Sequence, residues 1–134
     1  MDDLIAFLRA RLDEDADLTL AASPGPWHPD EEHDEVHAVD DIVVAEGFAL
    51  SGRQLRATVD HIARHDPARV LAEVEAKRRV IAQWEDVRAQ ARNQVSVDNF
   101  QAARIEQGAL SDVLRLLGAC YADRHPDYKP EWRP

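Results

Sequence analysis

The chemistry open to this chain rests first on its histidines, four of which fall into two pairs at i,i+4 spacing: His61 with His65, and His33 with His37. The first pair lies in Asp60-His61-Ile62-Ala63-Arg64-His65-Asp66. On a helix this spacing puts both rings on one face, where they can share a metal ion while Asp60 or Asp66 orients them. A zincin motif would also place a glutamate general base directly after the first histidine, and Ile62 stands there instead. The plainer reading is a helix C-terminus, where an imidazolium interacts well with the dipole, followed by a new helix cap at Asp66. His61 and His65 are therefore weak metal candidates. His33 and His37 sit in and just after Asp30-Glu31-Glu32-His33-Asp34-Glu35, where a loop and a strand are expected rather than a helix, so the spacing loses its meaning. With His28 and the surrounding carboxylates they could collect a divalent ion opportunistically, but an acidic solvated loop is the simpler expectation.

Other nucleophiles and ligand motifs are sparse. Cys120 lacks the cationic or helix N-terminal setting that lowers a thiol pKa, so core packing is its expected role. As the one cysteine it can form neither an internal disulfide nor a cysteine-based zinc site, which fits a reducing cytoplasm. Lys77-Arg78-Arg79 has no interleaved aromatic residue and reads as a solvated helix face. Gly25, Gly47 and Gly52 are not spaced as a phosphate loop. No catalytic residue and no cofactor is expected.

Charge narrows the function classes further. The formal net charge is -10, which argues against a general nucleic-acid binder, because phosphate affinity comes from Lys and Arg. Residues 1–50 hold 14 acidic side chains against Arg9 and Arg11, a balance of -12, whereas residues 51–134 hold 12 acidic and 14 basic, or +2. Such asymmetry suits an acidic arm lying on a basic helical face, within the chain or across a dimer, or an acidic surface for a basic partner. A merely soluble surface is the simplest account. No apolar run approaches the ~20 residues that cross a bilayer, and Met1-Asp2-Asp3 lacks a basic leader region, so a cytoplasmic protein off the membrane is expected.

These residues must be positioned by a core, and 45% apolar composition over 134 residues is enough for one. Leu4, Ile5, Leu8 and Leu12 recur at helical spacing over residues 2–20, with acids at the start where the dipole favours them. Asp13, Glu14, Asp15 and Asp17 crowd the unfavourable end, so fraying near Ala16 is expected. Ser23-Pro24-Gly25-Pro26 breaks the helix. Val36-Val39 and Ile42-Ala45, separated by Asp40-Asp41, predict a β-hairpin within residues 27–48, with Trp27 packed on it. Leu55, Val59 and Ile62 mark a short helix over residues 53–65.

The strongest local signal follows. Asp66 at an N-cap and Pro67 at the first helical position open a helix expected to run to about Ala91, roughly 39 Å long. Val70, Leu71, Val74, Ile81, Trp84, Val87 and Ala91 line its apolar side, and Glu73 with Lys77 and Glu75 with Arg79 are expected i,i+4 ion pairs. Asp98 and Gln101 resemble a capping box for a further helix bearing Phe100, Ala103, Leu110, Val113, Leu114 and Leu117. Residues 66–119 then form a helical hairpin, and residues 120–134 an extended tail pinned back onto the fold or onto a neighbouring subunit, with Tyr121, Tyr128 and Trp132 as anchors.

Four stretches carry a resemblance: MDDLIAFLRARLDED, PGPW at 24–27, HIARHDPARVLAEVEAKRRVI at 61–81, and the ending LRLLGACYADRHPDYKPEWRP. Together they resemble an uncharacterised family of short actinobacterial and actinophage proteins (domain of unknown function 6221). The resemblance covers most of the chain and implies a phage or prophage accessory gene, without an activity or catalytic residues. It also implies closely spaced cysteines between the long helix and the tail in some members, where this chain has none over residues 91–107.

The expectation is thus a single α+β domain over residues 1–134, mainly α: a long antiparallel helical hairpin, an N-terminal helix, a short β-hairpin and an extended aromatic tail. The expected function is a non-enzymatic protein-interaction or oligomerisation domain, a homo-oligomer or the binder of another protein, with Val74, Ile81, Trp84, Tyr128 and Trp132 at the interface. The alternatives are a metal-dependent protein using His61 and His65, and an acidic decoy that binds a basic host protein.

Overall fold

The computed structural model describes residues 1–134. Four helices, α1 (Asp2–Ala21), α2 (Gly52–Arg64), α3 (Pro67–Arg92) and α4 (Val97–Ala119), accompany an antiparallel sheet of β1 (His28–Pro29), β2 (Glu35–His37) and β3 (Val43–Glu46). The class is α+β with helix predominating, as the apolar periodicity predicts. Packing divides the chain into two compact units, Met1–Asp13 with Glu75–Pro134, and Glu14–Val74.

In the first unit, Leu4, Ile5, Phe7, Leu8 and Leu12 of α1 and Ile81, Trp84, Val87 and Ala91 of α3 are all buried, so the predicted stripes do face a core. Each large side chain so buried contributes about 1.5–3 kcal/mol. α1 and α3 run antiparallel, since Asp13 pairs with Arg78 at 2.6 Å, Arg9 with Glu85 at 2.7 Å and Asp2 with Arg88. The basic side chains of α3 thereby take up acids of α1, the intrachain form of the charge asymmetry. α4 returns antiparallel to α3 after a short connection: the Trp84 indole N–H donates to Ser111 Oγ at 2.8 Å, and Leu114 is fully buried. Its start differs from the predicted Asp98 capping box. Ser96 is the N-cap and Asp98 falls in the first turn, where a negative charge still favours the dipole.

The aromatic tail closes on its own chain. Phe7 of α1 is ringed by Tyr121, His125, Tyr128 and Trp132, with centroids 5.2–6.0 Å away. Edge-on and tilted pairs of this kind add to the area they bury. Lys129, between the last two rings, reaches Asp3 at 2.7 Å. The carboxyl of Asp3 is held down at about 2 by that hydrogen bond, and the Lys129 ammonium is correspondingly raised.

In the second unit the sheet lies on α2. Val36 and the α2 residues Val59 and Ala63 form a buried cluster, with Trp27, Val44, Ala45, Leu55 and Ile62 packed around it. Trp27 therefore packs as predicted. The expected two-stranded hairpin gains a third strand, because His28–Pro29 pairs with β2. Two residues are too short to announce a strand by alternation. Between β2 and β3, Asp40 and Asp41 both adopt positive φ, 58° and 55°, a conformation that Asp tolerates better than most residues. Gly47 lies close against α2 at the sheet's exit: an added Cβ would stand 2.6 Å from Leu55 Cδ1 and 3.0 Å from Val59 Cγ2, so both side chains would have to shift. α1 continues without a break to Ala21 rather than fraying near Ala16, whose side chain is buried.

α2 and α3 begin on side-chain caps. Ser51 Oγ accepts from Gln54 N at 3.2 Å, and Gln54 Oε1 accepts from Leu50 N at 3.2 Å. Asp66 Oδ1 accepts from Arg69 N at 3.1 Å, with Pro67 at the first helical position as predicted. On the exposed face Glu75 pairs with Arg79 at 3.1 Å, but Glu73 turns to Arg69 at 3.0 Å instead of Lys77. Arg69 lies one turn earlier on the same face, at the same four-residue spacing, and takes that carboxylate.

Candidate functional site

The two predicted histidine pairs have different fates. His61 and His65 do share a helix end, with ring centroids 4.4 Å apart. His65 is the residue that ends α2, and its Nδ1 donates to the His61 carbonyl at 2.6 Å. That bond satisfies a carbonyl the helix end leaves orphaned, which is the capping role. The adjoining cleft of about 370 Å³ is lined by Arg64 and Arg69 as well as Asp60, so two guanidiniums stand where a cation would approach. Asp60 is engaged elsewhere, with His33 Nε2 2.9 Å from its Oδ1. Asp66 is the α3 cap.

His33 and His37 are not a pair at all. Residue 33 sits at positive φ in the turn before β2, so its ring points to α2 while that of His37 lies on the sheet. His37 instead meets His28. The two residues are opposite each other in the β1–β2 register, and their rings stand 6.0 Å apart at 70°. The Asp40-Asp41 turn brings a third donor: one atom each of His28, His37 and Asp41 lie within 4.8 Å of one another. These residues open on a cleft of about 560 Å³ also lined by Asp30, Glu31 and Glu32.

The shell behind this cluster is ordered. Glu35, on the same face of β2, accepts from His37 Nε2 at 2.7 Å and raises the ring's pKa above its ordinary value. Asp30 Oδ1 accepts the backbone N–H groups of Glu35 at 2.9 Å and Asp34 at 3.0 Å, which holds its carboxyl below the usual range. The neighbouring Asp34 carboxyl is pushed up by Asp30. His28 is expected beside the acidic loop from the sequence, whereas Asp41 and the cross-strand geometry are not. No spacing signal would have found them, because the meeting of residues 28, 37 and 41 depends on strand register and on a turn with two positive φ angles.

The residues expected at an interface are placed differently from that expectation. Val74, Ile81, Trp84, Tyr128 and Trp132 are each 7% exposed or less, covered by the chain itself, and are not available to a partner. Their apolar size served the core first. A different apolar face is open: Ile105, Val113 and Leu116 of α4 are 75%, 40% and 59% exposed. With the exposed Ala109 they recur every three or four residues, a stripe distinct from the buried Leu114 and Gly118 side. Cys120 is exposed, against the core-packing expectation, because the helix ends there and turns its side chain outward.

What fold and site define is a small helix-rich α+β protein with a histidine–carboxylate cluster on its sheet and an open apolar stripe on its last helix. The chain belongs to a family of unknown function, DUF6221, whose model matches residues 1–134. No curated protein and no solved structure matches it. No helix is long and apolar enough to cross a membrane.

Proposed function

We propose that the protein is a non-enzymatic interaction domain that associates with a second copy of itself through the outer stripe of α4. The observation that carries this reading is the exposure of Ile105, Val113 and Leu116 along one side of a helix whose opposite side is already buried. An amphipathic helix needs one apolar side for its own core, so a second one calls for a covering surface. Charge favours a second copy at this place. α4 carries Asp98, Glu106 and Asp112 against Arg104 and Arg115, a balance of -1, so two chains of net charge -10 meet with little repulsion there. The setting we infer, from the resemblance to actinophage proteins and from cysteine usage, is the cytoplasm of a host cell and a phage or prophage accessory gene.

Light scattering and sedimentation of the untagged chain test the reading. A dimer or higher oligomer is expected at high micromolar concentration, and an Ile105→Glu/Leu116→Glu double variant is expected to be monomeric with an unchanged far-UV spectrum. A wild-type chain that stays strictly monomeric in that range removes self-association as the function. The acidic-decoy alternative has less to draw on than the total charge implies, since Asp2, Asp3 and Asp13 are already paired within the chain.

A further inference from the structure

We propose that His28, His37 and Asp41 form a binding site for one first-row divalent transition metal ion, with zinc as the representative, and that Glu35 is its positioning residue. The inference is independent of self-association through α4.

Four features of the cluster point the same way. The donors come from three separate places in the chain, β1, β2 and the turn that follows, yet converge to within 4.8 Å. Two imidazoles and one carboxylate are a donor set that suits zinc, copper, nickel or iron, whereas calcium and magnesium take oxygen ligands. Glu35 already holds His37 Nε2 at 2.7 Å, the carboxylate–histidine arrangement that fixes a ligating ring and directs its other nitrogen to the ion. Asp30, Glu31 and Glu32 line the same cleft and give it a potential that draws cations.

Binding requires only a modest closing of side chains. Metal–nitrogen bonds of about 2.0–2.1 Å place tetrahedral ligand atoms roughly 3.4 Å apart, so the three donors move inward by about 1.4 Å at most. His28 and Asp41 are exposed, while His37 is the half-buried, hydrogen-bonded anchor. Three protein ligands leave a tetrahedral ion one open position. An ion held this way would tie the two-residue strand β1 and the Asp40-Asp41 turn to β2, adding a cross-link where the ladder is shortest.

The test is zinc titration of the full-length, untagged protein by calorimetry, with thermal melting as a second readout. One equivalent of Zn²⁺ should bind and raise Tm in a concentration-dependent way, while Mg²⁺ and Ca²⁺ at the same concentration do neither. His28→Ala and His37→Ala should each weaken zinc binding by at least about tenfold, and Glu35→Gln by about tenfold or more. The His61→Ala/His65→Ala variant and Cys120→Ser should bind as wild type does. Should either single histidine variant lose its far-UV spectrum, Asp41→Asn on the exposed turn carries the same expectation. Absence of binding, binding that survives loss of His28 and His37, or binding that depends on His61, His65 or Cys120 each overturns the proposal.

Discussion

Nε2 of His37 lies 2.7 Å from Oε2 of Glu35, its neighbour but one on β2. Alternation along a strand puts residues i and i+2 on one face, so a carboxylate and an imidazole at that spacing meet without a turn. The proximity favours the imidazolium and raises the His37 pKa above its ordinary 6.5.

The sign of the resulting pH dependence follows from that direction. In the metal-free protein the His37–Glu35 contact contributes its full stability below the unfolded-state pKa, near 6.5, and loses it as pH rises through the higher folded value. In an NMR titration the His37 ring resonances should therefore move at a higher pH than those of an unfolded control. Glu35→Gln should bring the midpoint down towards that control, and a midpoint indifferent to this substitution would deny Glu35 the role given to it.

Asp3 predicts an effect at the acid end. Its carboxyl is lowered to about 2 by the Lys129 hydrogen bond, so its contribution is present above the unfolded value of 3.8 and lost as pH falls from there through about 2. Thermal melts at low salt between pH 5 and pH 2 should show part of the loss disappear in Lys129→Met. Both side chains are half exposed, and added salt should shrink the difference.

Phe7 is predicted to be the tail's main anchor. Phe7→Ala removes the ring that Tyr121, His125, Tyr128 and Trp132 surround, at a cost of about 3–5 kcal/mol typical of a buried phenylalanine. Urea unfolding gives the magnitude. Limited trypsin digestion gives the location: cleavage after Arg124 should accelerate in the variant, since the bonds after Lys129 and Arg133 precede prolines and resist the enzyme. Equal cleavage in variant and wild type would mean the tail is held by something else.

Asp66 is predicted to matter as a cap and not as a metal ligand. Asp66→Ala should cost about 1 kcal/mol in chemical denaturation through loss of the bond to Arg69 N. Asp66→Asn, which keeps an acceptor, should recover most of it, and neither substitution should change zinc affinity. A large metal effect from Asp66→Asn would place the bound ion at the His61 and His65 end of α2.

Local chemistry made the helices legible from residue types alone. The Asp66-Pro67 start, the apolar spacing of Leu4 to Leu12 and of Val74 to Ala91, and the Ser23-Pro26 break are all written within a few residues of one another, at a period set by helix geometry. That Val74, Ile81, Trp84, Tyr128 and Trp132 would be buried somewhere was equally legible, but not that the chain itself would bury them. Only the tertiary structure decided that Phe7 would gather the tail and that Ile105 and Leu116 would lie open on α4. It alone also decided that His37 would turn away from His33, its sequence neighbour at i+4, and meet His28 and Asp41. The reason is physical: periodicity reports which side of an element is apolar, whereas pairing register and positive-φ turns determine which residues from separate elements come within reach of one ion.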